Sequence, residues 1–408
     1  MVIKLAWRNI WRNKRRTFIT VGAVAFAVFM ASVLRSFQKG AWDKIVDSTV
    51  NLYYGFAQVH GKGYWDEQIL NNAIEYNDEL KSLEKEIPDV KGVIPRIESF
   101  ALAAQGNLTT GVLVIGIDPE MEDDMTGLKS RLTEGNYIED DDEAAFVAEG
   151  VAEKLGLKLG DTLVLISQGY HGANAAAKFP IKGLFKFALP DLNKRLVYLP
   201  LNAAQEFYGA ENLVTSVVLK IDQRDQVPAV LKAVNAKLDN EKYELKDWQQ
   251  MIPDLLEARK LDEGSAVIIL GILYFIITFA IFGTILMMTK EREYEFGVLT
   301  AIGMRRWKLF SVIWWETVFV GFIGSIVGIM ISIPITYYYN VNPIDMAVMG
   351  EEAVAAYEKF GIDPVMPFAF EFSIFLWQAF IIFIVTTILA LYPYWKIMNM
   401  KPVEAMRQ

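Results

Sequence analysis

The side chains most often used in catalysis are scarce in this chain. It has no cysteine and only two histidines, His60 and His171, which lie far apart in sequence. A histidine-based metal site or a catalytic triad needs several such groups together, so neither is supported. His60 follows a predicted strand, and we expect it at the surface. No G-x-x-x-x-G-K-[ST] phosphate loop is present either.

Two acidic stretches, residues 118–124 and 139–143, are the other candidates for a metal site. Neither has the ligand spacing of an EF-hand calcium loop. We predict that both are solvated turns without a metal. The residues therefore give no support for catalysis in this chain, and we expect no metal or cofactor in it.

The segment KEREYEFGVLTAIGMRR, residues 290–306, combines charges of both signs with an apolar stripe. Phe296, Leu299 and Ile302 recur every third residue, which places them near one another on a helix. An amphipathic helix of this kind can dock into a groove on a partner protein. The alternative is an ordinary charged loop, which would explain the arginines but not the apolar stripe.

This segment lies between two of four long apolar runs, at residues 17–34, 267–289, 309–339 and 372–395. A helix of about 20 residues covers the roughly 30 Å hydrocarbon core of a membrane. Only the third run contains a charged residue, Glu316. The fold class is therefore a membrane protein with four transmembrane helices in a 1+3 arrangement. A cleaved signal peptide is the alternative for the first run.

The distribution of basic residues predicts the orientation. Residues 1–16 carry six bases and no acid, and loop 290–308 carries five bases, whereas loop 340–371 carries only Lys359. By the positive-inside rule, both termini and loop 290–308 are cytoplasmic. The net charge of −9 comes from the outer side, and the bases form clusters beside the membrane, so we expect no nucleic-acid partner.

The predicted organisation follows from these boundaries. The N-terminal segment places Ile3, Trp7, Ile10 and Trp11 on one helical face, with arginines opposite, as in helices that lie on a membrane surface. The region after the first membrane helix reads as mixed α and β, with a strand at 52–59 and a helix at 76–86. The complete assignment is an interfacial helix at 1–16, membrane helices at 17–34, 267–289, 309–339 and 372–395, an outer α+β domain with helical stalks at 35–264, a cytoplasmic loop at 290–308, an outer loop at 340–371 and a cytoplasmic tail at 396–408.

Residues 290–306 resemble the cytoplasmic loop of FtsX/MacB-type ABC transporter permeases, the type VII or mechanotransmission class. That loop follows approximately the pattern R-x-x-E-[IF]-[AG]-x-L-x-A-[IL]-G-[AM]. The glycine-rich third run, the tail KPVEAMR at 401–407 and the opening WRNIWRNKRR at 7–16 are also similar to this family. The residues that match the loop pattern are Arg292, Glu295, Phe296, Gly297, Leu299, Ala301, Ile302 and Gly303.

The outer domain is similar to that of the lipoprotein-releasing, Lol-type permeases, through segments 111–120, 148–157, 160–161 and 181–184. The resemblance implies a two-part outer domain on a helical stalk. It also implies a bacterial inner-membrane location and release of lipoproteins from that membrane. No residue-level signature of lipoprotein contact is present. The alternatives are MacB-like export of another hydrophobic or peptide substrate and FtsX-like regulation of an extracytoplasmic enzyme.

The resemblance further implies partners that this chain lacks. ATP and magnesium would be bound by a separate dimeric ABC ATPase, and the chain itself would not be an enzyme. A second permease, either a copy or a paralogue, and a periplasmic carrier or outer-membrane component would complete the system. The implied ATPase-coupling residues are Arg292, Glu293, Glu295, Phe296, Gly297, Leu299, Ile302, Gly303, Arg305 and Arg306.

Two further sets of residues are candidates within this scheme. Phe26, Phe29, Phe275 and Phe279 would line a transmembrane cavity, or else pack or face lipid. Glu316 is either functional or an interfacial residue paired with a base, and Gly321, Gly324 and Gly328 allow close helix packing inside the chain or in a dimer. The glycine-rich segment 168–178 is either a mobile hairpin tip or a carrier-contact hairpin through Gln168, Tyr170, His171 and Asn174.

Overall fold

The computed structural model describes residues 2–12, 14–187, 189–359 and 364–399. The chain divides into two compact units. The membrane unit comprises residues 1–44, 258–345 and 365–408, and the extracytoplasmic unit comprises 45–257 and 346–364. The tail motif at 401–407 lies outside the described residues.

Helices make up the membrane unit and cover the sheet of the extracytoplasmic unit, and a π-helical turn at Val50–Tyr54 separates α2 from the first strand. In chain order they are α1 (Val2–Arg12), α2 (Lys14–Thr49), α3 (Tyr64–Glu67), α4 (Asp78–Glu86), α5 (Pro119–Thr126), α6 (Glu149–Leu155), α7 (Pro190–Asn193), α8 (Leu201–Tyr208), α9 (Val227–Asn235), α10 (Trp248–Met251), α11 (Pro253–Glu291), α12 (Glu293–Ala301), α13 (Arg306–Val341), α14 (Glu351–Lys359), α15 (Phe372–Leu389) and α16 (Tyr392–Met398).

The strands belong mostly to one large sheet in the extracytoplasmic unit. They are β1 (Ala57–Gly61), β2 (Ile74–Glu75), β3 (Gly92–Gln105), β4 (Leu108–Ile117), β5 (Leu132–Gly135), β6 (Ala145–Ala148), β7 (Thr162–Gln168), β8 (Asn174–Phe185), β9 (Leu196–Pro200), β10 (Leu213–Val214), β11 (Ser216–Lys220), β12 (Tyr243–Asp247), β13 (Ile344–Asp345) and β14 (Val365–Met366).

Within the described residues, the four predicted membrane helices are present. Residues Thr17–Tyr54, Pro253–Glu291, Arg306–Val341 and Phe372–Met398 are helical and long and apolar enough to cross a membrane. Their shared interior contains Val24 and Val28 of α2, Ile281 of α11 and Ile382 of α15. Serine and threonine hydroxyls donate to carbonyls one turn earlier, as Thr386 does to Ile382, which satisfies polar groups within apolar helices.

The sheet of the extracytoplasmic unit has ten strands in the order β12-β1-β11-β3-β4-β9-β6-β8-β5, with β7 paired to β3 and β8. Most pairs are antiparallel, but β4–β9 and β6–β8 are parallel. The helices on this sheet are capped by local signals. Asp118 caps α5 through its carboxylate, Pro119 occupies the first turn, and Gly127 ends the helix with φ +65°.

Two hydrophobic cores lie on this sheet. The larger one surrounds Phe146, Phe185 and Tyr198, and the smaller one surrounds Val59, Leu80 and Val217. This agrees with the predicted two-part α+β domain. Fully buried Arg96 on β3 donates to both carboxylate oxygens of Glu122 on α5, at 2.8 and 2.7 Å, and its Nη1 donates to the carbonyl of Tyr53 at 2.7 Å.

Three predictions about this unit are wrong. The strand expected at 52–59 begins only at Ala57, because the apolar residues before it continue α2 as the π-helical turn. His60 is 1% exposed within β1, so it is a core residue rather than a surface residue. Residues 118–124 form most of α5 rather than a solvated turn, and Glu122 is buried there by its pairing with Arg96. Residues 139–143 do form a largely exposed turn, as expected.

Candidate functional site

The segment between α11 and α13 folds as helix α12, whose first residues join a network of ion pairs. Arg292, the N-cap residue of α12, donates from Nη1 to Oε2 of Glu316 on α13 at 2.8 Å. The two side chains are only 10% and 2% exposed. Glu316 is thus paired with a base, as one of its two alternatives expected, and whether it is functional or interfacial stays a prediction. Since either charge would be costly to bury alone, the pair fixes α12 against α13.

Glu295 connects the same arginine to the N-terminal helix. Its carboxylate accepts from Nε of Arg292 at 3.2 Å and from Nη2 of Arg12 on α1 at 2.7 Å. Partial burial favours the neutral acid, but the two guanidinium groups outweigh it and hold the pKa of Glu295 below its ordinary value. Glu295 is therefore ionised at neutral pH and holds α1 and the start of α12 together.

Glu293 makes the third connection. It lies 3.1 Å from Nζ of Lys396 on α16 and 3.4 Å from Nζ of Lys290 at the end of α11. Burial opposes ionisation here too, yet the two ammonium groups lower the pKa of Glu293 below its ordinary value. Helix α12 is thus linked through charged side chains to α1, α11, α13 and α16.

The apolar stripe of α12 does not act as one surface. Phe296 is 2% exposed, and Gly297 beside it is buried as well. The prediction that Phe296 anchors a partner is wrong, because its ring is part of the chain's own interior. The side chains that form this small core with Phe296 are Met288, Leu309, Phe310, Ile313 and Ile397.

The other end of α12 is exposed. Leu299 is half-exposed, and Ile302 is 80% exposed. Gly303 follows with φ +100°, a left-handed conformation that favours glycine and that ends the helix. Exposed Arg305 completes this surface, which we call the α12 tip (Leu299, Ile302 and Arg305). Arg306 instead points inward and donates to the carbonyl of Met398 at 2.5 Å.

The glycines of α13 pack against neighbouring helices of the same chain. A Cβ added at Gly324 would lie 2.6 Å from Cβ of Val24, and one at Gly328 would lie 2.7 Å from Cβ of Val28, both on α2. A Cβ at Gly321 would lie 2.9 Å from Thr386 on α15. Of the two uses considered for these glycines, the structure shows packing within the chain.

The four candidate phenylalanines lie mainly on the outside of the membrane unit. Phe26, Phe275 and Phe279 are exposed, and Phe29 is half-buried. They form two neighbouring pairs: Phe26 and Phe29 have ring centroids 6.5 Å apart, and Phe275 and Phe279 have centroids 4.8 Å apart. The three exposed rings are not covered by the described part of this chain, so lipid or another molecule can reach them.

The glycine-rich segment 168–178 is largely part of a β-hairpin. Strands β7 and β8 pair as far as Gln168 and Asn174, so residues 169–173 form its tip. The backbone N–H of His171 donates to Oδ1 of Asn71 at 2.9 Å, and Tyr170 packs against the larger core. Gln168, His171 and Asn174 are exposed. The tip is therefore held against the domain while it presents polar side chains to solvent.

Sequence reasoning missed Arg12 and Lys396 as members of the α12 network. Arg12 is 283 residues away from Glu295, so no local pattern could join them. A weak signal exists in the charges, because the positive-inside rule puts the basic segments 1–16 and 396–408 on the same side of the membrane as the acids of α12. Among the described residues, no group of three or more histidines, cysteines or carboxylates could hold a metal ion.

Comparison with protein families covers most of the chain. Residues 17–237 match the MacB-like periplasmic core domain family, and residues 267–402 match the FtsX-like permease C-terminal family. The first match alone covers more than half of the chain. The two regions together contain most of the extracytoplasmic unit, α12 and the last three membrane helices.

Curated relatives are similar over most of their length. The chain is 24% identical over 333 residues to the "Lipoprotein-releasing system transmembrane protein LolC" of Xylella fastidiosa, which covers 78% of each chain. It is 21% identical to LolC of Neisseria meningitidis, covering 79% of this chain and 78% of that one. It is 23% identical to LolE of Haemophilus influenzae, and the match covers 62% of this chain and 63% of that one.

Among solved structures, the chain is similar to the periplasmic region of MacB from Actinobacillus actinomycetemcomitans. The identity is 16% and the TM-score 0.35, covering 52% of this chain and 98% of that one. Members of the matched families are permeases that work with ATPase subunits. This chain, with its four membrane helices and its mixed-sheet extracytoplasmic domain, belongs to the MacB-like and FtsX-like family of ABC transporter permeases.

Proposed function

We propose that this permease takes up the motion of a separate ABC ATPase through α12 and uses it to release lipoproteins from the bacterial inner membrane. The observation that carries the ATPase part of this proposal is the division of α12 into two ends. One end is tied to the chain by Arg292, Glu295 and Phe296, and the other presents the α12 tip to solvent.

The α12 tip has the composition of a docking point. Ile302 is 80% exposed, so its apolar side chain is available for a partner to cover. Leu299 lies beside it at i−3, and Arg305 adds a charge at the rim. A small apolar centre surrounded by charge is typical of protein interfaces. The orientation predicted by the positive-inside rule places this surface in the cytoplasm, with both termini.

Movement at the tip would be transmitted through the ion-pair network. The pair Arg292–Glu316 joins α12 to α13, the third membrane helix. Glu295 and Glu293 extend the connection to α1 and α16. An ATPase dimer that draws two such helices together would therefore displace whole membrane helices. In this proposal a second permease, identical or a paralogue, provides the opposing half.

Lipoprotein release is supported by the named relatives. LolC and LolE are lipoprotein-releasing system proteins, and the chain is similar to them across the membrane and extracytoplasmic regions. In this proposal the exposed rings of Phe26, Phe275 and Phe279 line an apolar cavity between two protomers, which accepts the acyl chains of the cargo. The hairpin tip, with Gln168, Tyr170, His171 and Asn174, is the proposed contact for a periplasmic carrier.

Export of another substrate is the second candidate, because one relative is named for export. The chain is 24% identical to the "Pyoverdine export ATP-binding/permease protein PvdT" of Pseudomonas syringae, over 81% of this chain and 51% of that one. FtsX-like regulation of an extracytoplasmic enzyme is a third candidate, supported by the FtsX-like family match. Cargo crosslinking separates these candidates, since only release or export places a substrate between membrane helices.

The ATPase contact is tested by co-purification from native membranes with mass spectrometry of the bound proteins. We expect an ABC ATPase with the wild-type chain and its loss with Ile302→Glu. The matched control is Val348→Glu, because Val348 is 83% exposed but lies in the extracytoplasmic unit. An ATPase that binds Ile302→Glu as strongly as the wild type would rule out the α12 tip as its contact.

The cargo is tested by a photo-crosslinking amino acid at Phe279, with Phe380 on α15 as a similarly exposed control position. Lipoprotein adducts at position 279 and not at 380, increased when ATP hydrolysis is blocked, would support lipoprotein release. Adducts of a different hydrophobic molecule would favour export. A lack of any cargo adduct, with the ATPase still bound, would favour the regulatory function.

A further inference from the structure

The extracytoplasmic unit contains a cavity of about 220 Å³ that the proposed transport function does not use. Pockets for drug-sized ligands measure about 300–1,000 Å³, so this one suits a smaller molecule. Its walls include the rings of Tyr54, Tyr64 and Trp65, together with His60 and Glu98. The lining residues all lie between positions 53 and 251, and they come from both the first and the last segments of this unit as well as from its sheet.

One surplus negative charge lies in the wall of this cavity. The charge of Arg96 is taken by Glu122, which it contacts at 2.7 and 2.8 Å, whereas the nearest approach of Arg96 to Glu98 is 3.9 Å. Glu98 accepts neutral donors instead, from the hydroxyls of Tyr53 at 2.8 Å and Ser216 at 3.2 Å. Its side chain is 16% exposed, and burial raises its pKa. A nearby cation would relieve this cost.

His60 does not supply that cation. Its Nδ1 lies 3.0 Å from the carbonyl oxygen of Thr215, so Nδ1 carries the proton and donates it there. Burial lowers the pKa of His60 to about 4, so the ring is neutral at physiological pH. Its other nitrogen, Nε2, is an acceptor without a hydrogen-bond partner in the described structure. The cavity wall therefore has a carboxylate and an unfilled acceptor, but no positive charge.

The aromatic rings complete a site for an organic cation. Tyr53 and Tyr54 meet edge to face with centroids 5.0 Å apart, and Tyr64 stacks on His60 at 5.2 Å. One face of Tyr53 is already occupied by the guanidinium of Arg96, at 4.9 Å, which leaves Tyr54, Tyr64 and Trp65 for a ligand. Aromatic faces beside a carboxylate attract ammonium groups through the ring quadrupole and the full charge together.

We propose that this cavity binds a small organic ammonium ion. The ligand's positive nitrogen lies beside Glu98, between the rings of Tyr54, Tyr64 and Trp65. The walls also include Tyr53 on the π-helical turn that follows α2 and Met251 on α10 just before α11. Two of the four chain connections to the membrane unit, at 44/45 and 257/258, thus lie within ten residues of a wall residue, which makes the site suited to an effector.

The test uses isothermal titration calorimetry of the full-length protein in nanodiscs of phosphatidylglycerol, whose headgroup has no ammonium. Choline is titrated against 3,3-dimethylbutanol, its neutral isostere of the same shape. We expect choline to bind at least about tenfold more tightly, since charge and cation–π attraction are lost in the isostere. Equal affinity for both compounds, or no binding of choline at millimolar concentration, would overturn the proposal.

Variants locate the site. Glu98→Gln should weaken choline about tenfold and leave the isostere unchanged, whereas Asp66→Asn, which removes an exposed charge next to Trp65, should leave both unchanged. Trp65→Leu keeps an apolar wall but removes the indole ring, so it covers the case in which Glu98→Gln does not fold. Choline binding unaffected by both Glu98→Gln and Trp65→Leu would show that the cavity is not the site.

A parallel titration with glycerophosphocholine identifies the source of the ammonium group. Tighter binding of free choline assigns the site to soluble amines, because Glu98 would repel the negative phosphate of glycerophosphocholine. Tighter binding of glycerophosphocholine assigns it to a lipid headgroup. Either preference retains the ammonium as the recognised group.

Discussion

The two units of this permease each bury an arginine–glutamate pair, but the pairs are built differently. In the extracytoplasmic unit, Arg96 and Glu122 are both fully buried, and two parallel hydrogen bonds join them. In the membrane unit, Arg292 donates from Nη1 to Glu316 at 2.8 Å and from Nε to a second carboxylate, Glu295, at 3.2 Å. We call the first pair closed, because Arg96 contacts both carboxylate oxygens of Glu122. We call the second pair open, because it is one part of a longer chain of charges.

This difference indicates how each pair responds when neighbouring elements move. A bidentate pair inside a core has one favourable geometry, so it holds β3 and α5 in a fixed relation. A branched network can exchange partners while every charge stays compensated, because Glu295 also contacts Arg12. We therefore expect the extracytoplasmic pair to maintain the fold and the membrane-unit pair to transmit movement of α12.

The largest expected effect is the loss of the closed pair. Glu122→Gln leaves Arg96 charged and buried with Glu98, 3.9 Å away, as the remaining carboxylate, which should destabilise the extracytoplasmic unit by about 3–5 kcal/mol. Native-state hydrogen exchange at the amides of β3, in the full-length protein, measures this free energy. Glu120→Gln is the control, since Glu120 is an exposed residue of the same helix. If the amides of β3 are equally protected in both variants, the pair does not maintain the fold.

The second prediction concerns the pH dependence of stability. It tests whether the interior around His60 excludes an added positive charge. The pKa of His60 is about 4 in the fold and about 6.5 in an unfolded chain, so the folded state binds fewer protons between these values. Stability is therefore complete above about pH 6.5 and falls as pH decreases through 4, by about 3 kcal/mol. Thermal unfolding in nanodiscs between pH 7 and 4 measures the decrease.

His60→Gln should reduce this pH dependence, and His171→Gln should not, because His171 is exposed. These are the only two histidines in the chain, so the comparison separates burial from residue type. An identical pH profile in all three proteins would mean that His60 is not neutral and buried in solution.

The sequence was sufficient for features that depend on composition and insufficient for those that depend on tertiary contacts. Four apolar runs predict four membrane helices because a helix of that length with at most one charged residue has few other uses. The alternative in which Glu316 pairs with a base followed from its position, about two turns into an apolar run and beside Trp314 and Trp315, which prefer the membrane interface. The partner, Arg292, is 24 residues away, and the run of charges around it offered several alternatives.

The errors in the extracytoplasmic unit have a similar origin. Residues 52–59 are apolar enough for a strand, but periodicity could not show that the π-helical turn continues α2 as far as Gly55, where φ is +67°. Glu122 stands in an acidic run that is typical of solvated turns. Only the position of Arg96 on the neighbouring strand makes its burial favourable.

A third prediction separates the open pair from the closed one. Glu316→Gln should destabilise the membrane unit by only about 1–3 kcal/mol, since Arg292 keeps Glu295. Given the proposed function, the partner ATPase should still bind while transport coupled to hydrolysis falls strongly. Release of cargo per ATP hydrolysed, in proteoliposomes containing the complete transporter, measures this. Glu291→Gln, at an exposed position just before α12, should leave the ratio unchanged.

A double variant distinguishes transmission from simple loss of packing. Arg292→Gln combined with Glu316→Gln removes both charges, so it should destabilise the protein by less than the sum of the two single effects. If the amount of cargo released per ATP hydrolysed, here called coupling, returns together with stability, the pair acts only by keeping the structure intact. If stability returns and coupling stays low, the charge connection itself transmits the movement.

The smallest expected effect is at the exposed end of the network. Arg12→Gln removes the contact between α1 and Glu295, in which both side chains are about half-exposed, at 59% and 45%. Exposed pairs contribute about 0.2–1 kcal/mol, so thermal unfolding should change little at moderate salt. Arg8→Gln changes another exposed base one turn earlier on α1 and serves as the control. Coupling that falls with Arg12→Gln but not with Arg8→Gln would show that α1 moves with α12. Equal coupling in both variants would limit the transmitting network to Arg292 and Glu316, because α1 would then have no part in the movement.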